Sequence, residues 1–270
     1  MNNQPIGIMD SGIGGLTAVK ALIEKLPNES LIYVGDNARL PYGPRQPEEV
    51  ARFVVEIGKF LENKGAKLLL IACNTATVAG LYIAQQSLSI PVIGMIEPGT
   101  IQAVETTQNH HYVVFATEGT VNSHAYQKAI QKMDVNAKVT EIACPAFVTL
   151  VEQNHWNDSL AKQAIHDALN QIEDEEADTL ILGCTHFPIL EECMSEMTTM
   201  NFVNPGKASI KQIEQTLKET NQQADKTKGE YVFYTTGDKE GFAFFIEKWL
   251  GIENYKLRRL KEEELMNGNH

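Results

Sequence analysis

The stretch Gly65-Ala66-Lys67-Leu68-Leu69-Leu70-Ile71-Ala72-Cys73-Asn74-Thr75 returns in pattern as Glu176-Ala177-Asp178-Thr179-Leu180-Ile181-Leu182-Gly183-Cys184-Thr185-His186. Each copy passes from polar residues through an apolar run to a small residue, then a cysteine, then two side chains able to hydrogen-bond. An uninterrupted apolar run of this length suits a strand buried on both faces, as in a parallel sheet. In open α/β sheets, ligands bind just beyond the carboxyl ends of the strands. Two such ends presenting equivalent cysteines are what duplicated half-barrels or facing lobes would give.

The flanking chain keeps the same rhythm. Short apolar runs alternate with amphipathic stretches and predict strands near 5–9, 30–34, 67–72, 90–94, 111–116, 137–142, 178–182, 201–203 and 229–235, with helices between them. Pro47-Glu48-Glu49 opens a helix over 48–64, because proline fits a first turn and carboxylates favour its positive end. The polar run at 220–228 reads as a surface loop. The class is α/β. A weaker third parallel, Val113-Val114-Phe115-Ala116-Thr117-Glu118-Gly119-Thr120, has hydroxyls where the others have thiols.

A chain of 270 residues, 43% hydrophobic, is long enough that two lobes are expected. Its 23 basic and 35 acidic residues give a net charge of −12, which disfavours nucleic acid and anionic membranes as partners. No apolar run approaches the ~20 residues that span a bilayer. Met1-Asn2-Asn3-Gln4-Pro5 does not look like an export signal, so a cytoplasmic protein is expected. Cys73, Cys144, Cys184 and Cys193 then read as free thiols. No C-x-x-C pair occurs, and only His186 sits beside a cysteine in sequence, so no metal site is expected.

Taken singly, the remaining motifs are ambiguous. Ile6-Gly7-Ile8-Met9-Asp10-Ser11-Gly12-Ile13-Gly14-Gly15 is a strand running into a glycine-rich turn that permits close backbone approach, but it lacks the G-x-G-x-x-G spacing. Asp10 there suits a helix cap as well as a catalytic group. Asn74-Thr75 would equally cap the next helix. Gly35-Asp36-Asn37-Ala38-Arg39-Leu40-Pro41-Tyr42-Gly43 is either a plain connection or a loop enclosing a ligand, with Tyr42 closing it off. Glu152 reads by default as exposed, Cys144 and Cys193 as core or near-surface thiols. Asp238, after Thr235-Thr236-Gly237, reads as a helix cap with no chemistry assigned.

In their order, Asp10-Ser-Gly-x-Gly-Gly15, Pro41-Tyr42-Gly43, Cys73-Asn-Thr75, Cys144-Pro-x-Phe-Val148 with Glu152, Gly183-Cys-Thr-His186 and Tyr234-Thr-Thr-Gly-Asp238 resemble the glutamate racemases of the aspartate/glutamate racemase superfamily. The resemblance implies two similar lobes, each a largely parallel sheet covered by helices, with the active site in the cleft between them. One lobe would combine residues 1–97 with 208–270; the other would hold 98–207. It implies interconversion of L- and D-glutamate for peptidoglycan synthesis without a cofactor, by a homodimer. Cys73 would serve the D-enantiomer and Cys184 the L-enantiomer, with Asp10, His186 and Glu152 assisting. Asp10, Ser11, Pro41, Tyr42, Gly43, Asn74, Thr75, Thr185 and His186 would hold substrate, with Thr117 and Thr120 contributing. Leu40, Thr149 and Asn204 depart from the family pattern, Asn204 where an acid is common. With nine residues ahead of Asp10, no N-terminal extension for a regulator is expected.

The chemistry suits these residues. Inverting an α-carbon requires removing a weakly acidic proton from one face and delivering one to the other, so two groups must flank it. A thiol with pKa near ~8.5 can act as acid or as activated base at neutral pH. Residue types leave open a racemase for aspartate or another small amino acid, or a non-catalytic small-ligand-binding protein with core thiols.

Overall fold

The computed structural model describes residues 2–266 except 175 and 226. Two separate parallel sheets form. The first has the order β10-β9-β2-β1-β3-β4, where β1 is Ile6–Asp10, β2 Leu31–Gly35, β3 Leu68–Ile71, β4 Val92–Ile93, β9 Tyr231–Thr235 and β10 Lys256–Arg259. The second has the order β6-β5-β7-β8, with β5 His111–Ala116, β6 Lys138–Ala143, β7 Thr179–Gly183 and β8 Asn201–Val203. Every strand pair is parallel, so all C-terminal ends within a sheet point the same way.

Alternation along the strands explains how each sheet is covered. Leu68, Leu70 and Ala72 enter one core while Leu69, Ile71 and Cys73 enter the other, as the period of two demands. The first core is closed by α1 (Leu16–Lys25), α10 (Pro205–Glu219) and α11 (Lys239–Leu250); the second by α2 (Pro47–Asn63) and α3 (Asn74–Ser87). The second sheet is sandwiched likewise. On one face lie α7 (Pro145–Glu152), α8 (Ser159–Leu169) and α9 (Glu191–Ser195); on the other, α4 (Ile96–Thr106) and α6 (Ala125–Met133). Between Ala116 and α6 runs the short α5 (Glu118–Ser123).

The nine strands expected from sequence all form, 111–116 and 201–203 with the expected bounds and the others within one or two residues, and the helix expected over 48–64 spans Pro47–Asn63. β10 is a tenth that sequence patterning missed. Residues 220–228 form turns and no regular element among those described, 226 lying outside them. Asn204, where the family pattern favours an acid, caps α10 by accepting from Lys207 N at 3.2 Å, a task amide and carboxylate perform alike. No helix among the described residues is long and apolar enough to cross a membrane.

Candidate active site

The C-terminal ends of β1, β3 and β7 converge on a cavity of about 20 Å³. It is lined by Ser11, Leu40, Pro41, Tyr42, Gly43, Cys73, Asn74, Thr75, Thr117, Val148, Cys184, Thr185 and His186. Cys73 follows β3 of the first sheet and Cys184 follows β7 of the second, so each sheet contributes one thiol to a shared space.

The surroundings of the two thiols differ. Cys73, not Asn74 or Thr75, caps α3, its Sγ accepting from Ala76 N at 3.4 Å and lying 3.9 Å from Ser11 Oγ. Burial, reinforced by the nearby Asp10 carboxylate, raises the Cys73 thiol well above its ordinary pKa despite those contacts. Cys184 Sγ lies 3.8 Å from His186 Nδ1, and His186 Nε2 lies 2.7 Å from Glu152 Oε1. Burial alone would depress the His186 imidazole. The bonds to Cys184 and Glu152 outweigh it, and the ring titrates well above its ordinary value. Glu152 is half-buried in this contact rather than freely exposed, because His186 is the neighbour toward which α7 turns it.

Asp10 does not cap α1, whose N-cap is Gly15. Its Oδ1 accepts from Gly12 N at 2.9 Å, fixing the glycine turn, and its Oδ2 accepts from Thr185 Oγ1 at 3.0 Å. Burial raises its pKa, opposed by His186 and these donors. Further contacts bridge the sheets. Tyr126 OH donates to Asn74 Oδ1 at 2.7 Å, and the hydroxyls of Thr75 and Thr117 meet at 2.8 Å with Thr120 beside them. Gly14 belongs to the same fit: a Cβ there would lie 2.5 Å from His186 Nδ1 and 2.6 Å from Thr185 Oγ1.

The sequence candidates thus divide. Asp10, Glu152 and Thr120 sit one contact behind the cavity wall, reaching it through Thr185, His186 and Thr75. Leu40 and Val148 also line it, outside the substrate-binding candidates; only the place of Leu40 just before Pro41-Tyr42-Gly43 and of Val148 at the end of the Cys144–Val148 motif hinted at this. Thr149 is exposed on α7; Cys144 and Cys193 are buried outside the lining, burial pushing the Cys144 thiol up to about 12. Among the described residues one trio, His111, Asp174 and Glu176, could hold a metal ion. It lies at the start of β5, at the other end of the sheet from Cys184.

Comparison with known proteins agrees with the geometry. The family model Asp/Glu/Hydantoin racemase matches residues 6–213. A glutamate racemase of Carnobacterium sp. is 42% identical, covering 96% of this chain and 99% of the relative. The crystal structure of glutamate racemase isoform RacE1 from Bacillus anthracis superposes with a TM-score of 0.92 at 38% identity, covering 97% and 99% of the two chains. That of the Francisella tularensis glutamate racemase, solved with D-glutamate, gives 0.90 at 34% identity over 97% and 98%. By motif, fold and full-length similarity, this chain belongs to the Asp/Glu/hydantoin racemase family, among relatives that are glutamate racemases.

Proposed function

We propose that the chain interconverts L- and D-glutamate by two-base proton transfer, with Cys73 and Cys184 as the bases. The observation that carries this is the pair of thiols, one from each sheet, lining a single buried cavity with unequal partners. L-Glutamate would lose its α-proton to Cys184, beside the imidazolium that Glu152 and Cys184 favour at His186. The Cys73 thiol, kept protonated by burial and Asp10, would deliver a proton to the opposite face. In reverse, Asp10, its pKa raised by burial, would assist removal of the Cys73 proton. Asn74, Thr75, Thr185 and Ser11 supply donors for the substrate carboxylates, and those aimed at the α-carboxylate would stabilise the charge that develops as the proton leaves. Pro41, Tyr42 and Gly43 would wall in the substrate, while Thr117 and Thr120 brace Thr75. Both transfers use side chains already in place and call for no cofactor.

In this reading one lobe combines residues 1–97 with 208–270 and the other holds residues 98–207. The product would feed peptidoglycan synthesis, in the cytoplasm and as a homodimer, the last checked by sedimentation equilibrium. The main test is substitution. Cys73→Ala and Cys184→Ala should each reduce racemisation of both enantiomers by at least ~10⁴-fold, since each step needs both groups, with thermal unfolding close to wild type. Normal turnover by either variant would refute the mechanism.

A further inference from the structure

The turn Thr235-Thr236-Gly237 after β9 has no part in the proton transfers, yet it stands beside the cleft. β9 pairs with β2 and β2 with β1, placing Thr235 level with Gly35 and Gly35 level with Asp10. The polar residues just beyond these ends join in one buried network. Thr236 Oγ1 donates to Asp36 Oδ1 at 3.0 Å and accepts from Ala38 N at 2.9 Å. Asp36, fully buried, uses its other oxygen to accept from Tyr42 OH and, at 2.6 Å, from Arg39 Nε. Arg39 bonds Glu56 at 2.7 Å and lies over the Phe53 ring at 4.0 Å, against which Tyr42 also packs. The last link is Tyr42, which lines the cavity between Pro41 and Gly43.

We infer that Thr236 is a positioning residue for substrate binding: through Asp36 it fixes the Tyr42 phenol and with it the Pro41-Tyr42-Gly43 wall of the cleft. Its hydroxyl gives one hydrogen bond to the carboxylate and receives one from the loop backbone, so it fixes the start of the 36–42 turn directly and the Tyr42 end through Asp36. A buried carboxylate keeps its geometry only while its partners are present. Without the Thr236 donor, Asp36 Oδ1 loses a bond, Ala38 N loses its acceptor, and the carboxylate is held through Oδ2 alone, which loosens its hold on Tyr42. Valine has the shape of threonine but makes neither bond; serine makes both. Close packing at the neighbouring glycine leaves the turn little other freedom, since a Cβ on Gly237 would come within 2.6 Å of Asn37 Cβ.

The inference rests on the proposed glutamate-binding role of this cleft. Its test is to measure D-glutamate affinity by calorimetry and KM and kcat in both directions for wild type, Thr236→Val, Thr236→Ser and Thr236→Val with Tyr42→Phe. Thr236→Val should weaken binding and raise KM about tenfold with kcat changed much less, the scale of one lost hydrogen-bonded link. Thr236→Ser should return both to within about twofold of wild type, and adding Tyr42→Phe to Thr236→Val should cost little more, because both act through Asp36. Wild-type KM and affinity in Thr236→Val, a defect serine does not rescue, or full additivity with Tyr42→Phe would each overturn the inference. If Thr236→Val does not fold, Thr236→Ala, which likewise makes neither bond, must show the same binding defect. Wild type that fails to bind glutamate would refute the functional reading and the inference with it, whereas a normal wild type with an unaffected Thr236→Val refutes only the inference.

Discussion

At Cys73 two opposing effects meet. A thiol at a helix N-terminus is ordinarily acidified by the aligned peptide dipoles. Here the Ala76 N–H does lower it, but burial and Asp10 win, and the thiol is held protonated. Beside Cys184 the buried imidazole of His186 is bonded to that thiol and to the Glu152 carboxylate, and these bonds raise it above its ordinary value in spite of burial. Glu152→Gln retains a hydrogen-bond acceptor for His186 but removes its charge. The imidazolium is then less favoured, so its proton leaves at lower pH. If that cation supports proton removal from L-glutamate, activity is lost as pH rises through the His186 pKa, and the alkaline limb of kcat/KM for L-glutamate should move to lower pH in the variant. An unmoved limb would show that Glu152 does not tune His186. Sequence made Cys73, Cys184 and the nearby His186 legible, since they stand at strand ends in a repeated pattern, whereas Asp10 stood out only through the resemblance of its motif. It could not show that Asp10 meets Thr185 or that Tyr126 meets Asn74, because those pairs join segments far apart in the chain.

Among the elements, strands buried on both faces were readable and β10 was not. Lys256-Leu257-Arg258-Arg259 is a mostly exposed edge strand, and its polar residues keep the outer edge unattractive to other chains while removing the apolar run that betrays a strand. The short helix α5 carries a different constraint. A Cβ on Gly119 would lie 2.7 Å from the Gly43 carbonyl oxygen, and a backbone atom cannot rotate out of the way. Gly119→Ala should therefore push the 41–43 loop off α5, raising KM for both enantiomers at least about tenfold, as misplacement near a site does, while circular dichroism stays as in wild type. An alanine variant with unchanged KM would mean that this contact does not shape the cleft.

For the molecule as a whole, the cavity holds about one water and is much smaller than glutamate, so the lobes must part to admit substrate and close to exclude solvent. Apolar contacts between the halves accompany the polar ones: Trp156, just after α7, packs against Trp249 and Phe245 of α11, with ring centroids at 5.5 and 6.5 Å. At the far end of the first sheet, the fully buried Lys67 ammonium binds Glu29 at 2.6 Å and the carbonyls of Asn2 and Gln222 at 2.7 Å each. Lys67→Met would leave Glu29 buried without its cation, a loss on the order of 3–5 kcal/mol in denaturant unfolding, with KM for glutamate unchanged because the cleft lies at the other end of the strands. A variant as stable as wild type would contradict that account of the fold. The account of function depends on two thiols on opposite faces of one carbon, and solvent-deuterium incorporation addresses it most directly. Wild type turning over L-glutamate in deuterium oxide should, at the earliest times, place one deuterium at the α-carbon of the D-product and leave the remaining L-glutamate unlabelled, because the incoming proton comes from the solvent-exchanged second thiol. Unlabelled product, or label entering the remaining substrate as fast as it enters product, would contradict the two-base mechanism.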